Sequence, residues 1–216
     1  MIFFDLLLYI HVVLGTISLV IGTCIIILKK GNARHKLLGK IFFSCMLISG
    51  IISLALSMLH PNHFLFAIGV FTIYMLLTGK RYLKNSLGKT VHTFDWFLVF
   101  IMAIFSSFLF ILGMQLLLAH KTFGVVLIVF GAISAMFIYS DVRNYRGLSP
   151  LANVGLVTHI QRMTGSYIAS LTAFLVVNNT YLPGVIAWLL PSGVLVPFIF
   201  IWSRKKARLK KESKEQ

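Results

Sequence analysis

Acidic side chains are nearly missing from this sequence. Five Asp and Glu stand against 20 Lys and Arg in 216 residues, a formal net charge of +15. No Asp, Glu, Lys or Arg falls near the middle of a long apolar run, which disfavours a proton- or sodium-coupled carrier built on a central carboxylate. Cysteine is just as scarce. Cys24 and Cys45 lie inside apolar runs, with neither CxxC spacing nor the framework of a secreted domain, and read as packing residues. There is no Walker loop, GxGxxG, GxSxG or HExxH, so the common phosphate-binding, dinucleotide, hydrolase and metalloprotease signatures are excluded. The opening Met1-Ile2-Phe3-Phe4-Asp5 lacks the positive region and cleavage site of a signal peptide, so the first apolar run is expected to be retained.

What fills the chain instead is hydrocarbon. Hydrophobic residues make up 58% and charged ones 12%, with a mean hydropathy of +0.92, whereas soluble domains run at roughly 45–50% and about 25%. Spans of about 20 apolar residues are expected near Phe3–Leu28, Lys40–Leu59, His63–Thr78, Phe94–Ala119, Thr122–Ser140, Thr158–Val177 and Leu182–Trp202. The third is short unless it runs on to Tyr82.

The basic residues test that division independently, because short cytoplasmic loops collect Lys and Arg. Lys29, Lys30, Arg34, Lys36 and Lys40 fall after the first run; Lys80, Arg81, Lys84 and Lys89 after the third; Arg143, Arg146 and Arg162 around the fifth connection; the remainder lie in the tail. Lys121 alone falls on the opposite side. The expected fold is therefore an all-α polytopic transmembrane helical bundle of about seven spans, N-terminus outside and C-terminus inside. Residues 1–203 form the membrane domain and 204–216 a basic cytoplasmic tail expected to lie on anionic lipid. Because the cations sort between apolar runs rather than along one face, no nucleic-acid partner is expected. Trp96 and Trp202 fall at the inner boundary, where an aromatic belt would place them.

Small residues mark the faces that pack, since membrane helices approach through them. His11, Gly15, Ser18 and Gly22 share a face of the first span. Gly39, Phe43, Met46, Gly50, Ser53, Ser57 and His60 do so on the second, and Gly165, Ala169 and Ala173 on the sixth. In the last span the internal prolines Pro191 and Pro197 are expected to introduce kinks.

Histidine is the main source of candidate chemistry. His11, His60, His63 and His120 fall toward the outer face, and His60-Pro61-Asn62-His63 puts two imidazoles on one turn that His11 could approach; this set suits zinc or another divalent metal. His35, His92 and His159 fall toward the inner face. Imidazoles in two layers also suggest haem b, although His11 and His159, the two set within helices by about a turn or more, lie on opposite sides of the bilayer. The plainer reading is interfacial polar residues. His159, Arg162, Ser166 and Ser170 share one stripe entering from the cytoplasm; Arg162 needs a partner, and Asp141 is the obvious one, either as a functional pair or as a helix staple. Asp95 is expected to cap the fourth helix. Ser57 and His60 at i, i+3 lack a nearby carboxylate other than Asp5, which makes a hydrolase unattractive.

His11-x3-Gly15-x6-Gly22, then Arg34-His35-x3-Gly39-Lys40, then His159-x2-Arg162-Met163-x2-Ser166-Tyr167-x4-Thr172-Ala173-Phe174, resembles an uncharacterised bacterial family of multi-pass membrane proteins classed as a domain of unknown function. The likeness runs from His11 to about Trp202. It implies a bacterial inner-membrane bundle in which His11, His35, His159, Arg162 and Tyr167 are the family-like polar positions, and it carries no activity. Family members tend to have Arg where this chain has Lys36. The resulting expectation is a histidine-based protein binding a metal or haem in a redox or sensing role, with His35, His159, Arg162 and Tyr167 as cofactor-binding candidates. The competing one is a scaffold, partner subunit or passive transporter with incidental histidines.

Overall fold

The structure, a computed structural model, describes residues 2–85, 90–149, 153–183 and 185–197. Lys89, Trp202 and the tail from Ser203 lie outside the described residues. Six long helices, α1 Ile2–Ile27, α2 Ala33–Leu59, α3 His63–Asn85, α4 Thr93–Leu118, α5 Gly124–Tyr145 and α6 Val154–Val177, are followed by the shorter α7, Val185–Pro197. The all-helical bundle expected from the sequence is the architecture found, and α1 to α5 are each long and apolar enough to cross a membrane. A helix satisfies its own backbone hydrogen bonds, which hydrocarbon demands.

Apolar residues fill the core and also cover the outside, where a soluble bundle would be polar. Ser18, Ser134, Asp141, Arg162, Ser166 and Thr172 are inside, while Phe97, Phe100, Ile104, Phe108 and Ile111 form an exposed stripe along α4 at helical spacing. That stripe is a lipid face. The centre is α3: 61% of its most apolar stretch is buried, against 11% in α1. It packs on α6, α2 and α4, with α1 laid on α2 and α5 on α4. On α7, Trp188 meets the Phe64 ring of α3 edge-on at 4.2 Å.

Glycines set the close approaches. A Cβ at Gly22 would come within 2.5 Å of the Tyr167 ring, and one at Gly79 within 2.9 Å of the Arg162 Cβ. On α2 the buried residues are Phe42, Met46, Ser49 and Gly50, so the packed stripe is rotated from the expected one, with Phe42 in place of Phe43 and Gly39 facing open space.

Helix ends also differ from expectation, for local reasons. The Asn32 side chain accepts the His35 N–H at 2.8 Å and starts α2 at Ala33, which draws Arg34, His35 and Lys36 from the first loop into the helix. Asn62 does the same for α3, accepting from Leu65 N–H at 3.0 Å, and α3 continues past Thr78 to full spanning length. α5 continues to Tyr145, so Asp141 lies inside the helix rather than beyond it. It ends in a Schellman turn, with Gly147 at φ +71° and Leu148 N–H on Arg143 C=O at 2.9 Å. α4 ends in the same turn with His120 in the left-handed position, φ 57°, and Lys121 N–H on Leu116 C=O at 2.8 Å.

Candidate functional site

Two polar regions lie inside the bundle, at different depths. At the end of the bundle where α3 and α5 finish and α6 begins, Asp141 is fully buried. Its Oδ1 accepts from Arg162 Nη2 at 2.7 Å and Tyr82 Oη at 2.9 Å, and its Oδ2 from Tyr74 Oη. Asn144 Nδ2 donates to Tyr82 Oη at 3.1 Å. Arg162 also donates to Phe137 C=O at 3.1 Å, and its guanidinium lies 3.9 Å from the centre of the Phe137 ring; its Nη1 has no partner among the described residues. Tyr145 stacks on Tyr82 at 5.8 Å and receives Trp96 edge-on at 5.5 Å.

A second ion pair, Arg81 with Asp95, completes this layer through Nη2 to Oδ2 at 2.9 Å and through Nε to Oδ1. Asp95 Oδ2 also accepts the His92 N–H at 2.9 Å, so the expected cap is present and carries a cation as well. His159 Nδ1 donates to Gly79 C=O at 2.9 Å, Tyr167 Oη pairs with Thr23 Oγ1 at 2.8 Å, and His35 Nδ1 is buried with no partner among the described residues. The donors on Asp141 come from α3 and α6, which makes the knot a three-helix fastening. The Asp141–Arg162 pair was legible in the sequence. Tyr74, Tyr82, Asn144 and Arg81 were not singled out, although Tyr74, Thr78 and Tyr82 recur every four residues on α3.

The outer half is different. Between α1, α2, α3 and α6 lies a cavity of about 570 Å³, within the range of roughly 300–1,000 Å³ typical of small-molecule sites. Among the described residues, no Asp, Glu, Lys or Arg lines it, and no member of the Asp141 knot does. Its wall is mainly Leu, Ile, Val, Phe and Gly, with polar groups from His11, Thr16, Ser49, Ser53, Ser57, His60, Asn62, Thr72, Ser170 and Asn178. His11 Nδ1 donates to Ser49 C=O at 2.9 Å, and Ser49 Oγ donates back to His11 C=O at 3.1 Å. This reciprocal pair fixes the imidazole between α1 and α2. At the inner end of the cavity, Ser170 Oγ donates to Met46 Sδ at 2.9 Å. α1 and α6 meet further in, where Gly22 and Thr23 receive Tyr167; outward of that contact both helices line the cavity.

The outer imidazoles are only partly gathered. His11 and His60 line the cavity, with His60 edge-on to Phe4 at 4.3 Å. His63 opens α3 and His120 occupies the left-handed turn, and neither lines it. Among the described residues, no three His, Cys, Asp or Glu side chains are grouped so as to hold a metal ion. Comparison with protein-family models, with curated proteins and with solved structures finds no match.

Proposed function

We propose that this chain is a multi-pass protein of a bacterial inner membrane whose outer-half chamber binds an uncharged, lipid-soluble amphiphile. The chamber carries the proposal: a volume suited to a small ligand, apolar walls set with ten polar side chains, and no Asp, Glu, Lys or Arg among the described lining residues. Access follows from the same geometry. α1 and α6 are joined at Tyr167 and separate around the chamber toward the outer leaflet, and the exposed Leu8, Val12 and Phe174 at this gap are apolar, so a ligand dissolved in the bilayer can enter sideways. The bacterial setting is supported by the family resemblance. The one-sided placement of Lys and Arg supports the orientation, with the basic tail on the anionic cytoplasmic leaflet.

The test is to purify the protein in mild detergent, extract and identify co-purified lipids, and repeat with Ala173→Trp, which puts an indole into the chamber. Wild type is expected to retain a neutral amphiphile that the variant loses. Identical lipid content in both would remove the proposal.

One observation favours a second reading, a metal or haem held by His11 and His60 in a redox or sensing role. Ligating histidines usually donate their other ring nitrogen to a carbonyl or carboxylate, as His11 does to Ser49. An absorption spectrum and elemental analysis of the same sample decide it: a Soret band or stoichiometric metal lost in His11→Phe supports this reading, and bare protein removes it.

A further inference from the structure

Hydrogen placement in the chamber narrows the ligand further. Ser49 C=O, 2.9 Å from His11 Nδ1, only accepts, and Ser49 Oγ, 3.0 Å from the same nitrogen, has its hydrogen on His11 C=O, an arrangement that is consistent with the ring hydrogen on Nδ1. In the neutral ring Nε2 is then left as a bare acceptor. Ser53 and Ser57 spend their hydroxyl hydrogens on the carbonyls of Gly50 and Ser53, both at 2.7 Å, and Ser170 spends its own on Met46. Each keeps oxygen lone pairs but has no hydrogen to offer. Thr72 is different, a threonine only 3% exposed whose hydroxyl has no partner among the described residues. His11 Nε2 and these serine oxygens are thus acceptors with no hydrogen of their own, while the donors of the wall stand on Thr16, His60, Asn62, Thr72 and Asn178. A ligand head that pairs with His11 must bring a hydrogen, and it must do so without charge, because a buried ammonium would find no carboxylate among the described residues of this wall.

We infer that the amphiphile is a lipid alcohol, an apolar body whose hydroxyl donates its one hydrogen to His11 Nε2 and whose oxygen accepts from a donor of the wall. This rests on the chamber reading above and adds the chemistry of the ligand's head. A carbonyl-headed molecule of the same shape would leave His11 Nε2 facing another acceptor, and an ether would leave it unpaired.

The experiment compares farnesol with farnesyl methyl ether, which share an apolar body and differ in the one donated hydrogen, by equilibrium binding to the full chain in lipid nanodiscs. Farnesol is expected to bind about tenfold tighter, as befits a buried acceptor left unsatisfied by the ether. His11→Phe is expected to bring farnesol down to the level of the ether without weakening the ether, and Ala173→Trp to abolish both. The wild-type comparison needs no variant, so a misfolded His11→Phe leaves the test intact. Equal binding of the two probes, abolished by Ala173→Trp, overturns the alcohol assignment while the chamber reading stands. Binding of neither probe above the Ala173→Trp level overturns both. Stoichiometric metal or haem on His11 also overturns the alcohol assignment, because Nε2 is then a ligand atom.

Discussion

The two polar regions are built on opposite rules. In the inner half every oxygen of Asp141 is spoken for, its donors arrive from two other helices, and a charge sits opposite a charge. In the outer half the polar groups are neutral, most are held by their own helix or its neighbour, and together they surround space instead of one another. The first arrangement joins three helices in a medium where unpaired polar groups are costly. The second leaves acceptors unspent, which is what a binding site requires. The lesson is that intramembrane charge, the usual pointer to function, marks the fastening here, and the quieter hydroxyl-lined region marks the candidate site.

Substitutions can break this contrast. The largest effect is expected at Asp141→Ala, which strands the Arg162 guanidinium in the core; loss of one partner of a buried pair costs about 3–5 kcal/mol, read as a collapse of the detergent melting temperature. Replacing both members, Asp141→Leu with Arg162→Met, is expected to recover much of that stability. A double variant no better than Asp141→Ala would show that the knot does more than hold helices. Next comes Gly22→Leu, whose side chain meets the Tyr167 ring; overpacking of about 1–3 kcal/mol is expected, with the same assay as readout. In the chamber, Thr72→Val removes a hydroxyl with no partner among the described residues, so stability is expected to hold or rise slightly; a clear loss would reveal a partner for that hydroxyl. His120→Gly is expected to gain up to about 1 kcal/mol by relieving the left-handed turn.

Parts of this were legible in the residues and parts were not, for physical reasons. Apolar run length and the sorting of Lys and Arg carry the helical bundle, because the bilayer acts on composition directly. Asp141 could be paired with Arg162 because carboxylates are so few that the choice was narrow. Tyr74 and Tyr82 gave no such signal, since a tyrosine in an apolar helix looks the same facing lipid or a carboxylate. The start of α2 was misplaced because Lys and Arg after Asn32 read as loop, whereas the Asn32 cap lets the helix begin beneath them. The chamber was invisible because it depends on where four helices fail to touch. The partner of His11 is a backbone carbonyl, which no sequence pattern announces.

The division between fastening and site is tested most directly by photolabelling in native membranes with a lipid alcohol carrying a diazirine, followed by peptide mapping. Adducts are expected on the outer halves of α1, α2, α3 and α6, among residues such as Val12, Ser53, Leu65 and Ala173, and to be displaced by excess farnesol. Displaceable adducts concentrated instead around Tyr74, Tyr82, Asp141 and Asn144 would contradict it.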